Sequence, residues 1–197
     1  MENMKILGIT GGVGSGKSEV LNYMEAQYDA CVCQMDEVAK QLEKSGEACF
    51  QKIVDQFGDS VIGNDGELDR KKLGEIVFSD SKKLEILNEI VHPAVLEYTA
   101  EDIRKKRREG KKLYVLESAL LVEIGHELCD EIWYIYAEEN VRRSRLEQSR
   151  GYTQEKITRM IASQPSEEKF REICTDRIDN SGDFEETKRQ IGEKIQL

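Results

Sequence analysis

The chain lacks features that mark several classes of protein. It has only two prolines among 197 residues, which argues against a proline-rich linker or tail. No apolar run approaches the roughly 18–20 residues of a membrane span, and Met1–Ile9 lacks the long apolar core of a signal peptide. The five cysteines are odd in number and form no C-x-x-C pair, so we expect neither a disulfide framework nor a zinc site. These absences predict a cytoplasmic protein without a membrane anchor.

Positive charge is also scarce. Lys and Arg number 29 against 39 Asp and Glu, which gives a formal net charge of −10 at pH 7. Such a chain is not expected to coat nucleic acid or an anionic membrane over a broad face. The basic run Arg104–Arg108 has no aromatic residues interleaved with it, and we interpret it as a solvated helix end. The charge does not exclude a small anion as ligand, because a small anion needs only a local pocket.

Short apolar runs alternate with segments of helical periodicity along most of the chain. The runs predict strands over residues 4–10, 30–35, 113–116 and 131–136, with a weaker strand around 177–178. This alternation predicts an α/β fold with a parallel sheet and right-handed crossovers. The segment between the second and third strands is much longer than a crossover helix needs. We therefore predict a core of residues 1–58 and 111–197 that carries a helical insertion over residues 59–110.

A glycine-rich segment directly follows the first predicted strand and satisfies G-x-x-x-x-G-K-[ST]. Its glycines let backbone N–H groups approach phosphate oxygens, and the helix that opens after it directs its positive end at the same anion. Its lysine supplies charge for the β- and γ-phosphates, and its last hydroxyl is a ligand for Mg²⁺. The preceding strand and the following helix disfavour the alternative of a turn that binds nothing. The segment comprises Gly11, Gly12, Val13, Gly14, Ser15, Gly16, Lys17 and Ser18.

Other classes of nucleotide-binding protein fit the chain less well. The dinucleotide motif G-x-G-x-x-G fails, because Lys17 stands where its last glycine would be. No Asn is followed by Lys, so the chain has no N-K-x-D guanine-binding motif of a signalling GTPase. The third strand ends in Glu117 rather than in the Asp that motor and transporter ATPases usually carry. A small kinase that phosphorylates a metabolite remains.

Such a kinase needs a carboxylate near the acceptor hydroxyl, and Asp36 is the best candidate. It ends the second predicted strand, beside the phosphate loop if the sheet has the usual strand order. The alternative is that Asp36 caps the helix that follows it, which is a common role for Asp. The residue pattern leaves both interpretations open.

The kinase also needs mobile cations around the transferring phosphate, and arginines follow the fourth strand. Arginine suits phosphate because its planar fork donates two parallel hydrogen bonds. The alternative is a solvated helix face with pairs such as Glu138–Arg142. We expect one or two of these arginines to act on phosphate and the others to lie on the surface. They are Arg142, Arg143, Arg145 and Arg150, and Gly151 is a candidate hinge.

Taken together, these residues resemble those of dephospho-coenzyme A kinases, over nearly the whole chain. The phosphate loop and Asp36-Glu37-Val38-Ala39 resemble the family's loop and its D-x-[IV]-[AS] segment. The more specific signatures are G-x-L-D-R at Gly66–Arg70 and L-N-x-[IV]-x-H-P at Leu87–Pro93. Gln164 and Asp176–Asn180 resemble markers near the family's C-terminus.

The resemblance implies a P-loop NTPase core of three layers, a helical acceptor-binding insertion over residues 59–110 and a helical lid over about 138–165. It implies ATP-dependent phosphorylation of the ribose 3′-hydroxyl of dephospho-CoA, the last step of CoA biosynthesis, with ATP and Mg²⁺ as cofactors. Two alternatives are a kinase for another small acceptor, such as a nucleoside monophosphate, and a nucleotide-binding regulatory protein without activity.

The resemblance also implies roles for individual residues. Asp36 would be the general base, and Lys17 and Arg145 would assist transfer. The phosphate loop, Arg145, Arg150 and Asn180 would bind ATP, and Ser18 with Glu117 would hold Mg²⁺. Asp36, Asp69, Arg70 and His92 would contact the acceptor. Residue chemistry alone interprets His92 as structural, beside Pro93 at the start of a helix.

Three segments depart from the family pattern. The family's A-D-x-V-I-x-N pattern is here Thr175-Asp176-Arg177-Ile178-Asp179-Asn180, with polar substitutions. The family's D-x-P-L-L-F-E segment is here Glu117-Ser118-Ala119-Leu120-Leu121-Val122-Glu123, with a longer acidic residue and neither proline nor phenylalanine. The lid usually carries Gln three positions before its arginine, and Arg142 occupies that position here. The phosphate loop, Asp36, Arg145 and Arg150 follow the pattern.

Overall fold

A computed structural model of the protein describes residues 4–119 and 121–195, without the side chains of residues 123–126. The chain forms two compact units. One contains the residues up to Cys33 and from Lys106 onward, and the other is Gln34–Lys105. The second unit thus begins before residue 59, where we placed the start of the insertion. Which segment binds the acceptor stays a prediction, because compactness does not test what a segment binds.

The first unit is built on a five-stranded sheet with the order β2-β3-β1-β4-β5. Strand β1 pairs in parallel with β3 and β4, and β4 pairs in parallel with β5. The predicted α/β fold with a parallel sheet is confirmed. The strands are β1 (Lys5–Thr10), β2 (Cys31–Gln34), β3 (Leu113–Glu117), β4 (Glu131–Tyr136) and β5 (Asp176–Asp179).

Near-continuous apolar strands form the centre of this unit, as expected for a sheet that is covered on both faces. Trp133 in β4 is fully buried, and its register partner Ile9 in β1 is also fully buried. Side chains from four strands and two helices complete the same cluster. Its members include Leu7, Leu113, Val115, Ile135, Ile178, Val20, Leu21, Met24 and Ile191.

Helices of the first unit connect the strands and follow β4. They are α1 (Lys17–Tyr28), α6 (Leu121–Leu128), α7 (Glu139–Arg150), α8 (Gln154–Ala162), α9 (Glu167–Ile173) and α10 (Phe184–Lys194). We did not predict α6, which begins within the altered segment after Glu117. Leu120 of that segment, and the side chain of Glu123, lie outside the described residues. Within residues 4–119 and 121–195, none of the helices combines the length and apolar character that a membrane crossing requires.

The second unit is helical. It contains α2 (Met35–Leu42), α3 (Ala48–Phe57), a 3-10 turn (Asp59–Val61), α4 (Arg70–Phe78) and most of α5 (Ser81–Arg108). A short non-helical segment separates α2 from α3. Gly46 lies there with φ 94°, in the left-handed region where glycine is favoured, so the chain turns instead of continuing as one helix.

Our interpretation of Pro93 as the start of a helix is wrong, because Pro93 lies inside α5. Proline has no N–H, so the carbonyl of Glu89 loses its usual i+4 donor at this point. Buried Val91 and Val95 flank the proline in the sequence. Burial of this face offsets the missing hydrogen bond, and the helix therefore continues through a residue that ends most helices.

The five cysteines are free thiols. Burial raises the pKa of Cys129 to about 12, and burial likewise raises the pKa of Cys174 to about 12. Both thiols therefore stay protonated near neutral pH, and neither is a good nucleophile there.

The fully buried edge-strand residue Ile178 gives a test of the core. We expect Ile178→Ala to lower the free energy of unfolding by about 2–5 kcal/mol, because it removes buried methyl groups and leaves a cavity. Urea unfolding followed by the fluorescence of Trp133, the single tryptophan, measures this loss within the first unit. Exposed Gln148→Ala is the matched control and should change it by less than about 0.5 kcal/mol. Equal effects of the two changes would contradict the assignment of the core.

Candidate nucleotide-binding site

The glycine-rich loop lies between the end of β1 and the start of α1. Gly11 has φ 153°, and a Cβ on this residue would overlap the carbonyl oxygen of Ile135. Gly16 has φ 88°, and a Cβ there would overlap the side-chain amide of Asn180. Both ends of the motif therefore need glycine for close approach as well as for conformation. Since α1 begins at Lys17, its N-terminus, which is the positive end of the helix dipole, lies at the end of this loop.

Lys17 folds back across the loop. Its Nζ donates to the carbonyl oxygen of Gly11 at 2.8 Å and lies 3.7 Å from Oε1 of Glu117. The register explains this pairing, since Glu117 at the end of β3 is the partner of Ile9 at the end of β1. The ammonium and carboxylate side chains are 21% and 14% exposed, so both remain accessible at the edge of the sheet.

The loop region also offers oxygen ligands for a cation. Ser18 is exposed in the first turn of α1, and the Glu117 carboxylate lies beside the neighbouring Lys17. A hydroxyl and a carboxylate are hard oxygen donors of the kind that Mg²⁺ prefers. The residues that we predicted for Mg²⁺ therefore fit that ion by their chemistry, although contact with the ion stays a prediction.

Asn180 holds the middle of the loop by a hydrogen bond to its backbone. Its side chain is fully buried, and Nδ2 donates to the carbonyl oxygen of Ser15 at 2.8 Å. Its Oδ1 accepts from the hydroxyl of buried Thr187 in α10 at 2.8 Å, and its backbone N–H donates to Tyr136. Asn180 thus holds the loop with its side chain, and its predicted contact with ATP stays a prediction.

Two arginines of α7 reach the loop. Arg145 donates to the carbonyl oxygen of Ser15 at 3.4 Å. Arg142 donates from Nε to the carbonyl oxygen of Val13 at 2.9 Å, and its NH2 donates to Oε1 of Gln164 at 2.8 Å. The same Gln164 oxygen accepts the backbone N–H of Val13 at 3.0 Å. These contacts bring the helix after β4 onto the phosphate loop.

The other two arginines of α7 face elsewhere. Arg143 donates to Glu139 and to Thr158 of α8, so it braces the two helices against each other. Arg150 is exposed at the end of α7, and its hydrogen bond to Tyr152 is the main cause that lowers the pKa of that phenol. Among the described residues, no hydrogen bond joins Arg150 to the loop. Its predicted contact with ATP stays a prediction.

The predicted acceptor residues all belong to the second unit. Asp36 is exposed in the first turn of α2, and the N-cap position is Gln34, so the alternative that Asp36 caps this helix is wrong. Asp69 caps α4 by accepting the N–H groups of Lys71 and Lys72, and these hydrogen bonds hold its pKa below the usual value. Which of these residues meets the acceptor stays a prediction.

Arg70 and His92 have different surroundings within that unit. Arg70 forms an ion pair of 2.7 Å with Glu43, whose side chain is only 11% exposed. Burial nevertheless raises the pKa of Glu43, because the cost of desolvating its charge exceeds the attraction of Arg70. His92 is half-buried in α5, one residue before Pro93.

The sequence analysis did not assign a structural role to two residues that hold the loop in place. Gln164 entered only as a marker of resemblance, and Thr187 was not singled out. The contact of Gln164 with Val13 spans 151 positions in the chain. Helical periodicity reports only on neighbours three or four positions apart, so no local pattern could have found it. The match to a family marker was the single signal available for Gln164.

Comparison with known proteins gives a consistent result. A family model described as dephospho-CoA kinase matches residues 5–186. A dephospho-CoA kinase from Carboxydothermus hydrogenoformans is 37% identical over 190 residues, which cover 95% of this chain and 91% of that protein. The crystal structure of TT1252 from Thermus thermophilus has a TM-score of 0.83 at 28% identity, covering 97% of this chain and 96% of that one. The dephospho-CoA kinase from Campylobacter jejuni, with a TM-score of 0.64 at 22% identity, shares the fold over 96% of this chain and 97% of its own.

The similarity includes residues from both compact units, together with the glycine-rich loop, the end of β3 and the helices that follow β4. It reaches every strand of the sheet and therefore does not rest on the widely shared phosphate loop alone. The resemblance that the sequence motifs indicated is confirmed, and the chain belongs to the dephospho-CoA kinase family.

Proposed function

We propose that the protein transfers the γ-phosphoryl group of ATP to the ribose 3′-hydroxyl of dephospho-CoA, and that ATP binds with its phosphates at residues 11–18. The observation that carries this site assignment is the loop itself. Its glycines allow close backbone approach, it opens onto the N-terminus of α1, and Lys17 lies across it. Family membership supports the reaction, since the matched family is one of dephospho-CoA kinases.

The loop would hold the triphosphate by backbone N–H groups and by charge. Lys17 has three ammonium donors. It can therefore keep its hydrogen bond to Gly11 and still donate to a phosphate oxygen. Glu117 beside it keeps the ammonium placed at the end of β1 and balances its charge before ATP arrives. Ser18 and Glu117 would hold Mg²⁺, which when bound would neutralise charge on the phosphates.

Asp36 is the proposed general base. In the transfer, the 3′-oxygen of the acceptor forms a bond to the γ-phosphorus, and the bond between that phosphorus and the oxygen of ADP breaks. The proton of the 3′-hydroxyl passes to the Asp36 carboxylate. Because the transition state of phosphoryl transfer is loose in most cases, the carboxylate mainly orients the hydroxyl and accepts the proton late. An exposed carboxylate in the first turn of α2 is accessible for this role.

Arg145 and Arg150 are the proposed cations near the transferring phosphate. Arg145 already lies at the loop through its hydrogen bond to Ser15. Arg150 precedes Gly151, whose φ of 62° places the end of α7 in a left-handed turn. Closure of this region over ATP would exclude water, which otherwise competes with the acceptor for the phosphoryl group.

A panel of acceptors tests the proposal. The protein is incubated with ATP, Mg²⁺ and either dephospho-CoA, a nucleoside monophosphate or shikimate, and the products are examined by mass spectrometry. We expect the mass of one phosphoryl group to be added to dephospho-CoA alone, at the 3′-position as located by phosphorus NMR. Transfer to another acceptor would overturn the substrate assignment. ATP binding without any transfer would overturn the reaction.

Asp36→Asn tests the proposed base. We expect kcat to fall on the order of 10²- to 10⁴-fold, because the amide cannot accept the proton, while the KM for ATP stays near the wild-type value. Steady-state kinetics with each substrate varied in turn measures both constants. Glu37→Gln is the matched control, since Glu37 is the neighbouring exposed carboxylate in the same helical turn. Near-normal turnover of Asp36→Asn would contradict the role of Asp36.

Lys17→Met tests the proposed cation of the loop. The change keeps the length of the side chain and removes its charge and donors. We expect weaker ATP binding and a loss of roughly 10²–10³ in kcat, because the donor acts on charge that develops during transfer. Calorimetric titration with ATP and steady-state kinetics measure the two effects. Lys5→Met is the control, since Lys5 forms its ion pair with Glu131 at the opposite end of β1.

A further inference from the structure

One residue of the phosphate loop, Val13, is held on both of its backbone polar atoms. The N–H of Val13 donates to Oε1 of Gln164 at 3.0 Å, and its carbonyl oxygen accepts Nε of Arg142 at 2.9 Å. The two side chains also bind each other, since NH2 of Arg142 donates to the same Gln164 oxygen at 2.8 Å. We call this arrangement of Arg142 and Gln164 around Val13 the Val13 clamp.

Gly12 makes room for the clamp. A Cβ on this residue would overlap NH2 of Arg142 and lie 2.6 Å from its Cζ. Unlike Gly11, Gly14 and Gly16, this glycine is not among those with positive φ. The backbone at Gly12 therefore tolerates a side chain, and what excludes one is the guanidinium group packed against the loop.

Both members of the clamp are restrained by their own surroundings. Arg142 lies on α7 one turn before Leu146, which is buried and would contact a Cβ on Gly14. Gln164 comes one position after Ser163, the C-cap of α8, and its backbone N–H donates to the carbonyl oxygen of Ile161 at 3.2 Å. Pro165 comes next and has a fixed φ, which restricts the chain on the other side of Gln164. The clamp therefore connects two helices to the tip of the loop.

We propose that Arg142 and Gln164 are positioning residues that set the conformation of the phosphate loop for ATP. A loop rich in glycine loses much conformational freedom when it becomes ordered. A loop that is already ordered by the clamp pays less of that cost when ATP binds, so affinity rises. Arg142 acts here through the Val13 carbonyl group and not through a phosphate oxygen, and Gln164 acts through the Val13 N–H group.

The main competing role for Arg142 is direct contact with phosphate. The two roles differ in what they require of the side chain. Direct contact needs positive charge, which a lysine also carries. The clamp needs two donors in a fixed plane, one directed at Val13 and the other at Gln164, and lysine lacks this geometry. Arg142→Lys therefore separates the two roles.

The kinetic experiment compares Arg142→Lys, Arg142→Met, Gln164→Leu and the double variant Arg142→Met/Gln164→Leu. We expect the KM for ATP to rise roughly tenfold in each, because each change removes a hydrogen bond to a backbone atom of Val13. The double variant should also show roughly tenfold rather than the product of the two single effects, as residues of one network are not additive. The KM for dephospho-CoA should stay unchanged, which a general loss of folding would not allow.

Gly12→Ala is an independent test of the clamp. The added Cβ should displace the guanidinium group of Arg142 without changing the sequence at Arg142 or Gln164. We expect the same rise in the KM for ATP as in Arg142→Met. Full ATP affinity in Arg142→Lys, or additive effects in the double variant, would overturn the proposal in favour of direct phosphate contact. A KM for ATP that is unchanged in Gln164→Leu would overturn it outright.

The kinetic experiments depend on the proposed function, because they need the protein to phosphorylate dephospho-CoA. Measurement of hydrogen exchange at the Val13 amide does not depend on it. In the nucleotide-free protein, NMR should show slow exchange of this amide in the wild type and faster exchange in Gln164→Leu. Equal exchange rates would overturn the clamp even if the protein phosphorylates dephospho-CoA. If the wild type transfers no phosphoryl group to dephospho-CoA, the proposed function fails, and calorimetric titration with ATP replaces the KM comparison.

Discussion

The backbone of the loop between β1 and α1 is the constraint on which the rest of the site depends. A phosphate-binding loop must present its N–H groups inward, and glycines at positions such as 11 and 16 make this conformation accessible. The same glycines make the loop costly to order. The structure resolves this conflict by holding the loop from outside: Asn180 and Arg145 bind the carbonyl of Ser15, while Arg142 and Gln164 bind Val13.

This requirement explains why the first unit draws on distant parts of the chain. Each residue that holds the loop lies after β4, and the contact between Asn180 and Ser15 spans 165 positions. The sheet brings them together, because β1 and β4 are parallel neighbours and β5 follows β4. The carboxyl ends of these strands meet at one edge, where ligands bind in open α/β sheets. The order of the strands is therefore as important for the loop as the loop's own residues.

The sequence predicted this framework well because its signals are local. A short motif predicted the strand, loop and helix around Gly11–Ser18, and apolar runs predicted the buried strands. It failed where tertiary packing overrides a local preference, as at Pro93 inside α5. The sequence also did not predict the contacts of Gln164 and Thr187 that support the loop, since no local pattern indicates partners so far away in the chain. The pairing of Lys17 with Glu117 depended on strand order and register, which the sequence does not encode locally.

Helix geometry explains why the four arginines of α7 have different contacts. Arg142 and Arg145 are three positions apart and therefore lie on one face of α7. This face also carries the buried Leu146 and contacts the loop. Arg143 is one position from Arg142 and so is rotated about 100° away from it, which places it against α8 instead. Arg150 lies five positions after Arg145, about 7.5 Å further along the helix axis. In the proposed mechanism, Arg142 shapes the loop, while Arg145 and Arg150 are the cations near the transferring phosphoryl group.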